Sequence, residues 1–221
     1  MNSTNVRFGH LTLILGPMWS GKSTSLIARL STYADLKFST LYINHSDDTR
    51  GTVQSGYDAV TCEALRPNSS SSKATFGDNI VSTHSSQYKG LSSRLSALKV
   101  KSLKDINVSP FSVIGVDECQ FFEDLVPSVH SWVSQNKIVL CAGLDGDSFM
   151  KPFGHTLELI PFCDEVTKLR AKCQKCLDSG HLIDAPFTAR LCLDKSTKLI
   201  GGEDKYTAMC RYHYKEHDDK K

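Results

Sequence analysis

Residues 16–23, GPMWSGKS, place two glycines, a lysine and a serine at the spacing G-x-x-x-x-G-K-S. That is the phosphate-binding loop pattern. Gly16 and Gly21 permit backbone conformations that a side chain would block, so that successive N–H groups can turn inward on phosphate oxygens. Lys22 is placed to reach the outer phosphates, and the Ser23 hydroxyl to bind magnesium. Pro17, Met18, Trp19 and Ser20 complete the loop and are candidates to touch the nucleotide with it.

A second chemical pair, Asp117 and Glu118, ends the apolar run VIGV. In a phosphate-loop protein a strand-terminal Asp holds magnesium, directly or through water. Glu118 then stands where a base could reach an attacking oxygen, which is water in a hydrolase and a substrate hydroxyl in a kinase. Asp48, Thr49 and Arg50 of the stretch DDTRG have two readings. They face the nucleotide, with Arg50 offsetting charge in the transition state, or they form a surface turn. Cys119 adjoins Glu118 and is a candidate reactive thiol, whereas Cys62, Cys141, Cys163 and Cys192 show no ligand spacing and read as small buried hydrophobes.

Four further residues form two knuckles, Cys173-x-x-Cys176 and Cys210-x-x-His213. Three thiolates and one imidazole suit tetrahedral zinc. With no coordination position left open the site would be structural, anchoring a small unit whose own core is thin. The competing readings are coincidental pairs or a redox dithiol at 173–176. His181 and His217 are rival ligands without a pair partner.

These residues need elements to hold them. LTLIL, 11–15, reads as a buried strand and 22–34 as a helix with Leu26, Ile27 and Leu30 on one face, so the loop joins a strand to a helix N-terminus whose positive end meets the phosphates. Strands are also expected at 40–44, 79–82, 111–116 and 137–142, with helices over 90–104 and 121–135. The alternation implies an α/β fold with a parallel sheet buried on both faces. The Ser-rich stretch 66–78 reads as a surface loop, and after residue 163 short β runs separated by turns suggest a small β-rich appendage.

Composition sets the limits. The chain has 221 residues, 40% of them hydrophobic, and a net charge of +2 from 26 basic and 24 acidic side chains. That balance gives no reason to expect nucleic acid or a membrane as an obligatory partner. No apolar run reaches the roughly 18 residues needed to span a bilayer. The polar N-terminus lacks a signal-peptide core, which leads to the expectation of a soluble cytoplasmic protein with reduced cysteines.

Taken in order, GPMWSGKST, DDTRG, VDECQFF, LDG followed by KPFG, the C-x-x-C knuckle, FTAR, KLIGGEDKY and CRYH resemble the type II, zinc-containing cytosolic thymidine kinase family over roughly residues 9–214. The resemblance implies a P-loop kinase domain, 1–163, and a zinc-binding lasso domain with a short polar tail, 164–221, assembled as a homotetramer. It implies transfer of the ATP γ-phosphate to the 5′-hydroxyl of thymidine, with magnesium. By that resemblance Glu118 is the general base, and Asp117 and Ser23 lie on the magnesium side. Gln120 and Phe121 lie beside the nucleotide and nucleoside. Met18, Leu144, Thr188 and Tyr206 wall the thymine methyl, and Phe153 is the aromatic next to the base. The backbone of Thr197, Lys198, Leu199, Ile200 and Gly201 reads the thymine edge from a flexible lasso between the knuckles.

The chain departs from the family pattern at four places. Cys119 replaces a usual Gly, and Ser148 stands where a substrate-side Phe is common, with Phe149 one residue late. Ser85 replaces an Asp, and 66–78 looks like an insertion. The alternative function is a zinc-ribbon P-loop ATPase working on nucleic acid; the lack of a basic stripe and of a second motor domain argues against it.

Overall fold

The computed structural model describes residues 8–48, the backbone of 75–76, 95–192 and 205–219. Its main sheet contains β1 (His10–Leu15), β2 (Thr40–His45), β3 (Thr75–Phe76), β4 (Ser96–Val100), β5 (Val113–Val116), β6 (Ile138–Gly143) and β7 (Glu165–Lys168). The spatial order is β3-β4-β2-β5-β6-β1-β7. Six strands run parallel and β3 pairs antiparallel at one edge. Helix α1 (Lys22–Asp35) covers one face and α2 (Leu125–Ser134) the other.

The period-2 alternation of strands explains why these runs are apolar throughout. Leu11, Leu13 and Leu15 of β1, Leu41 and Ile43 of β2, and Val139 and Cys141 of β6 pack toward Leu125, Val129 and Trp132 of α2. Their neighbours Ile14, Tyr42, Leu140 and Ala142 turn to Leu26, Ile27 and Leu30 of α1. The apolar side chains of the central strands therefore divide between the α2 side and the α1 side of the sheet.

One expected helix is a strand. Residues 96–100 form β4, parallel to β2, where a helix over 90–104 was expected. Leu, Ala and Lys favour helix locally, but Leu98 and Val100 fill the α2 side while Leu95 and Ala97 fill the α1 side, and that burial outweighs propensity. Helix α2 begins at Leu125 rather than 121, because Cys119–Phe121 form a 3-10 turn first. The strand expected at 79–82 lies outside the described residues, as does the Ser-rich stretch apart from the backbone of β3.

The chain then runs through a 3-10 segment, Thr156–Phe162, into β7, so the sheet gains its last strand from residues beyond 163. The C-terminal part holds β8 (Ala171–Lys172), α3 (Gln174–Asp178), β9 (Asp184–Ala185), β10 (Phe187–Arg190), β11 (Tyr206–Met209) and α4 (Arg211–Asp218). It forms two small antiparallel ladders, β8-β9 and β10-β11, with a helix after each knuckle's first cysteine.

Candidate functional site

The register of the parallel strands brings the chemistry to one edge. Leu15 pairs with Gly143, and Val116 with Cys141, so the ends of β1, β5 and β6 emerge together at the carboxyl side of the sheet. The loop 16–21 leaves β1 there and Asp117 and Glu118 leave β5. Gly21 caps α1 in the left-handed region at φ 81°, which is what glycine supplies in this loop. Lys22 is buried, and its Nζ donates to the Pro17 carbonyl at 2.7 Å, folded across the loop it belongs to. Ser20 Oγ donates to the same carbonyl at 2.8 Å. Ser23 lies in the first turn of α1.

The two acids are held differently. Asp117 Oδ2 accepts from the Tyr42 hydroxyl at 2.8 Å, and Oδ1 accepts the Glu118 N–H at 2.9 Å. Glu118 has a left-handed backbone, φ 49°. Its Oε2 accepts from Gln120 Nε2 at 2.6 Å, and Gln120 Oε1 accepts the Leu144 N–H at 3.0 Å. A continuous chain of hydrogen bonds thus links the acidic pair to β2 on one side and to the turn after β6 on the other. Gly143 is a close-approach position: a Cβ there would meet Cys119 Sγ at 2.5 Å and Gln120 Oε1 at 2.7 Å.

Cys119 itself is not a reactive thiol. It is fully buried, and burial pushes its pKa up to about 12, reinforced by the neighbouring carboxylates and only partly offset by a contact with Thr156 Oγ1.

Asp48 is buried, accepting from Asn44 Nδ2 at 2.9 Å at the end of β2. Thr49 and Arg50 lie outside the described residues. Phe121 packs edge-on to Phe153, ring centroids 5.8 Å apart, and touches His45 on its other side. Met18 N–H donates to Thr188 Oγ1 at 3.0 Å, which ties the phosphate loop to β10. Tyr206 is buried opposite Arg190, and Phe149 is 39% exposed. Residues 197–201 lie outside the described residues. A cavity of about 240 Å³ opens beside the loop, between Pro17, Asp145, Asp147 and Thr188. Lys22, Asp117 and Glu118 do not line it, so this cavity is not the space over the acidic pair.

The two knuckles close into one cluster. The ligand atoms of Cys173, Cys176, Cys210 and His213 lie within 4.8 Å of one another. His213 Nδ1 is 3.4 Å from each of the three sulfurs, and Cys176 Sγ is 3.8 Å from Cys210 Sγ. A tetrahedron with Zn–S of about 2.3 Å and Zn–N of about 2.0–2.1 Å has edges of roughly 3.8 and 3.5 Å, so the donor set fits a structural zinc site. The thiols crowd one another as a cation would relieve. Burial raises Cys173, yet the hydrogen bonds from the Cys210 and Cys176 backbone and from His213 bring it down to about 6. Cys176 is pushed up to about 12 by burial and by the adjacent thiols. His181 and His217 are not in the cluster; His217 instead bonds the Arg190 carbonyl. The indole of Trp19, from the phosphate loop, packs against this cysteine cluster.

Three contacts of the candidate residues do not follow from the sequence. Tyr42 as the partner of Asp117 carried only the signal of a polar tip within an apolar strand. The bond from Gln120 to Glu118 was hidden because Gln120 was assigned to the ligand side. Arg190 stood within the quoted FTAR and received no role, although a cation in a short β run between aromatics is a signal in itself.

The comparisons with known proteins agree on one family. The sequence model of the family described as "Thymidine kinase" matches residues 9–87 and 68–214. The chain is 35% identical over 208 residues to the thymidine kinase of Monkeypox virus, covering 93% of this chain and 97% of that protein. It is 35% identical over 207 residues to those of Vaccinia virus (strain Western Reserve) and Variola virus, with the same coverage of each.

Proposed function

The chain belongs to the thymidine kinase family, and on that premise we propose that it transfers the γ-phosphate of ATP to the 5′-hydroxyl of thymidine, giving dTMP and ADP. The observation that carries this reading is the buried Glu118, fixed by Gln120 at the same sheet edge as the phosphate loop. In the proposed reaction Lys22 exchanges the Pro17 carbonyl for the outer phosphates. Asp117 and Ser23 would hold magnesium, which would neutralise charge on the phosphates when bound. Glu118 accepts the proton of the 5′-hydroxyl as the new P–O bond forms, and the γ-phosphoryl leaves ADP. Gln120 keeps the carboxylate oriented while its other end fixes Leu144 in the nucleoside wall. Met18, Leu144, Phe149, Phe153, Thr188 and Tyr206, with the backbone of 197–201, form the nucleoside side of the pocket.

Zinc in the Cys173–Cys176–Cys210–His213 cluster, magnesium with ATP, a homotetramer and a cytoplasmic location belong to the same proposal. So does the division into a kinase part, 1–163, and a lasso part, 164–221, with β7 lent by the second to the sheet of the first. Among the described residues no helix is long and apolar enough to cross a membrane.

The decisive experiment measures ADP formation with each of the four common deoxynucleosides and with single-stranded DNA in turn. Thymidine-dependent ADP and dTMP in equal amounts are expected. ADP formation driven by DNA, or independent of nucleoside, would replace this reading with the nucleic-acid ATPase.

A further inference from the structure

We propose that Arg190 is a positioning residue for the nucleoside: its buried guanidinium holds Tyr206 and Phe149 so that the substrate meets a wall already in place. The proposal rests on the thymidine reading above.

The placement follows from the β10-β11 ladder. Arg190 pairs with Tyr206, and Thr188 with Ala208. Beyond them, the Leu191 N–H donates to the Lys205 carbonyl at 2.8 Å. In an antiparallel ladder hydrogen-bonded and non-hydrogen-bonded pairs alternate, so Arg190 and Tyr206 form a non-hydrogen-bonded pair, the kind whose side chains stand closest. Strand periodicity puts Thr188, Arg190 and Tyr206 on one face. Thr188 fixes the direction of that face, because its Oγ1 accepts the Met18 N–H of the phosphate loop. The opposite face, with Phe187, Ala189 and Met209, packs on Tyr214 of α4.

Arg190 is 2% exposed, the bulkiest of the fully buried side chains among the described residues. One guanidinium nitrogen donates to the Tyr206 hydroxyl at 3.0 Å. Its Cζ lies 5.3 Å from the Tyr206 ring centroid and 5.9 Å from that of Phe149. A guanidinium can stack and donate at once from a rigid plane, which an ammonium cannot do. It therefore sets both the position and the rotation of the Tyr206 ring, and it reaches the turn after β6 through Phe149.

Helix α4 fixes the arginine in turn. The Arg190 carbonyl, aimed out of the ladder by the pair geometry, accepts from His217 Nε2 at 2.6 Å. The Tyr214 hydroxyl donates to the Ser148 carbonyl at 2.6 Å, beside Phe149. Two hydrogen bonds from one helix thus hold the strand that carries Arg190 and the turn that carries its aromatic partner. A preset wall lowers the ordering cost of binding, so its loss should appear in the affinity for the nucleoside and leave the nucleotide side alone.

The test uses the full-length protein. Arg190→Met and Arg190→Lys are made in the wild type and in Tyr206→Phe, with thymidine and ATP varied separately and zinc content and Tm recorded. Arg190→Met is expected to raise the KM for thymidine by about tenfold and to leave that for ATP within about twofold. In the Tyr206→Phe background most of that rise should vanish, because the hydroxyl it held is already gone. Arg190→Lys should recover part of the loss through its remaining hydrogen bond. An unchanged thymidine KM, an equal rise in both KM values, or effects that simply multiply in the double variant would overturn the role. Should Arg190→Met fail to fold, Tyr214→Phe carries the test: a rise of about threefold in the thymidine KM alone supports the brace, and no rise counts against it. A wild type that turns over thymidine with unaffected variants rejects only the positioning role. A wild type with no thymidine-dependent turnover rejects the function, and this role with it.

Discussion

Glu118 occupies a backbone conformation that costs a non-glycine residue about 1 kcal/mol or more, and three ties hold it there. Its N–H is bound by Asp117, its carboxylate by Gln120, and its carbonyl by the Phe121 N–H at 3.1 Å. Strain kept at such expense at the mouth of a phosphate loop fits a base that has to be aimed. Glu118→Gln keeps the shape and removes the basicity. It should lower kcat by about 10²–10⁴-fold while the KM for ATP and the Tm stay near those of the wild type; activity within about threefold would remove Glu118 from the reaction. The adjacent Cys119 gives a prediction of the opposite kind. Its folded pKa is raised by burial to about 12 from an ordinary 9.0, so between those values the folded protein keeps a proton that the unfolded chain loses. Stability should therefore be unaffected by this group below pH 9 and fall as pH rises toward 12, by up to about 1.4 kcal/mol per pH unit. Denaturant titrations at stepwise higher pH, compared with Cys119→Ala, should show a shallower decline in the variant. Iodoacetamide should leave Cys119 untouched in the folded protein.

At the level of elements, the site depends on β6 coming close to the turn after β5. Gly143→Ala would drive a methyl group into Cys119 Sγ and Gln120 Oε1. A destabilisation of about 1–3 kcal/mol is expected, with a fall in kcat from the displaced Gln120; Cys119→Ala in the same chain should restore part of both by vacating the sulfur's space. Denaturation midpoints and turnover of the single and double variants check this, and a fully additive loss would show that the two residues do not share that space. The strands and the loop that build this edge were legible in the sequence because unbroken apolar runs between turn residues have one stable solution, a sheet covered on both faces. The knuckles were legible because metal-ligand spacing is short-range. β4 was not, since SALKV follows helical propensity, and only its pairing with β2 and the packing of its two faces against the α1 and α2 sides reveal a strand. Arg190 and Tyr42 escaped for a related reason: each acts on a partner, Tyr206 or Asp117, separated from it by 16 or 75 positions, and spacing within a motif carries no such information.

Across the whole molecule, the phosphate loop is joined to the C-terminal part at two successive residues. Met18 is bonded through its N–H to Thr188, and Trp19, left-handed at φ 59°, packs its ring on the cluster of Ala171, Cys173, Cys176, Ala185, Ala208 and Cys210. The core of that cluster is made of cysteines and alanines, too little apolar mass to hold itself together without the metal its donors fit. Metal removal should therefore be felt at the nucleotide, not only in the appendage. Chelation is expected to release Trp19 from its packing, shift its emission to longer wavelength, and raise the KM for ATP as well as that for thymidine. The chain has two tryptophans, and Trp132 is buried against the other face of the sheet, so Trp19→Phe isolates the signal: the shift on chelation should disappear in that variant. Added zinc should reverse both changes. If the metal-free protein keeps its emission and its ATP KM while losing only thymidine affinity, Trp19 merely rests on the cluster and the phosphate loop holds its shape from α1 and β1 alone.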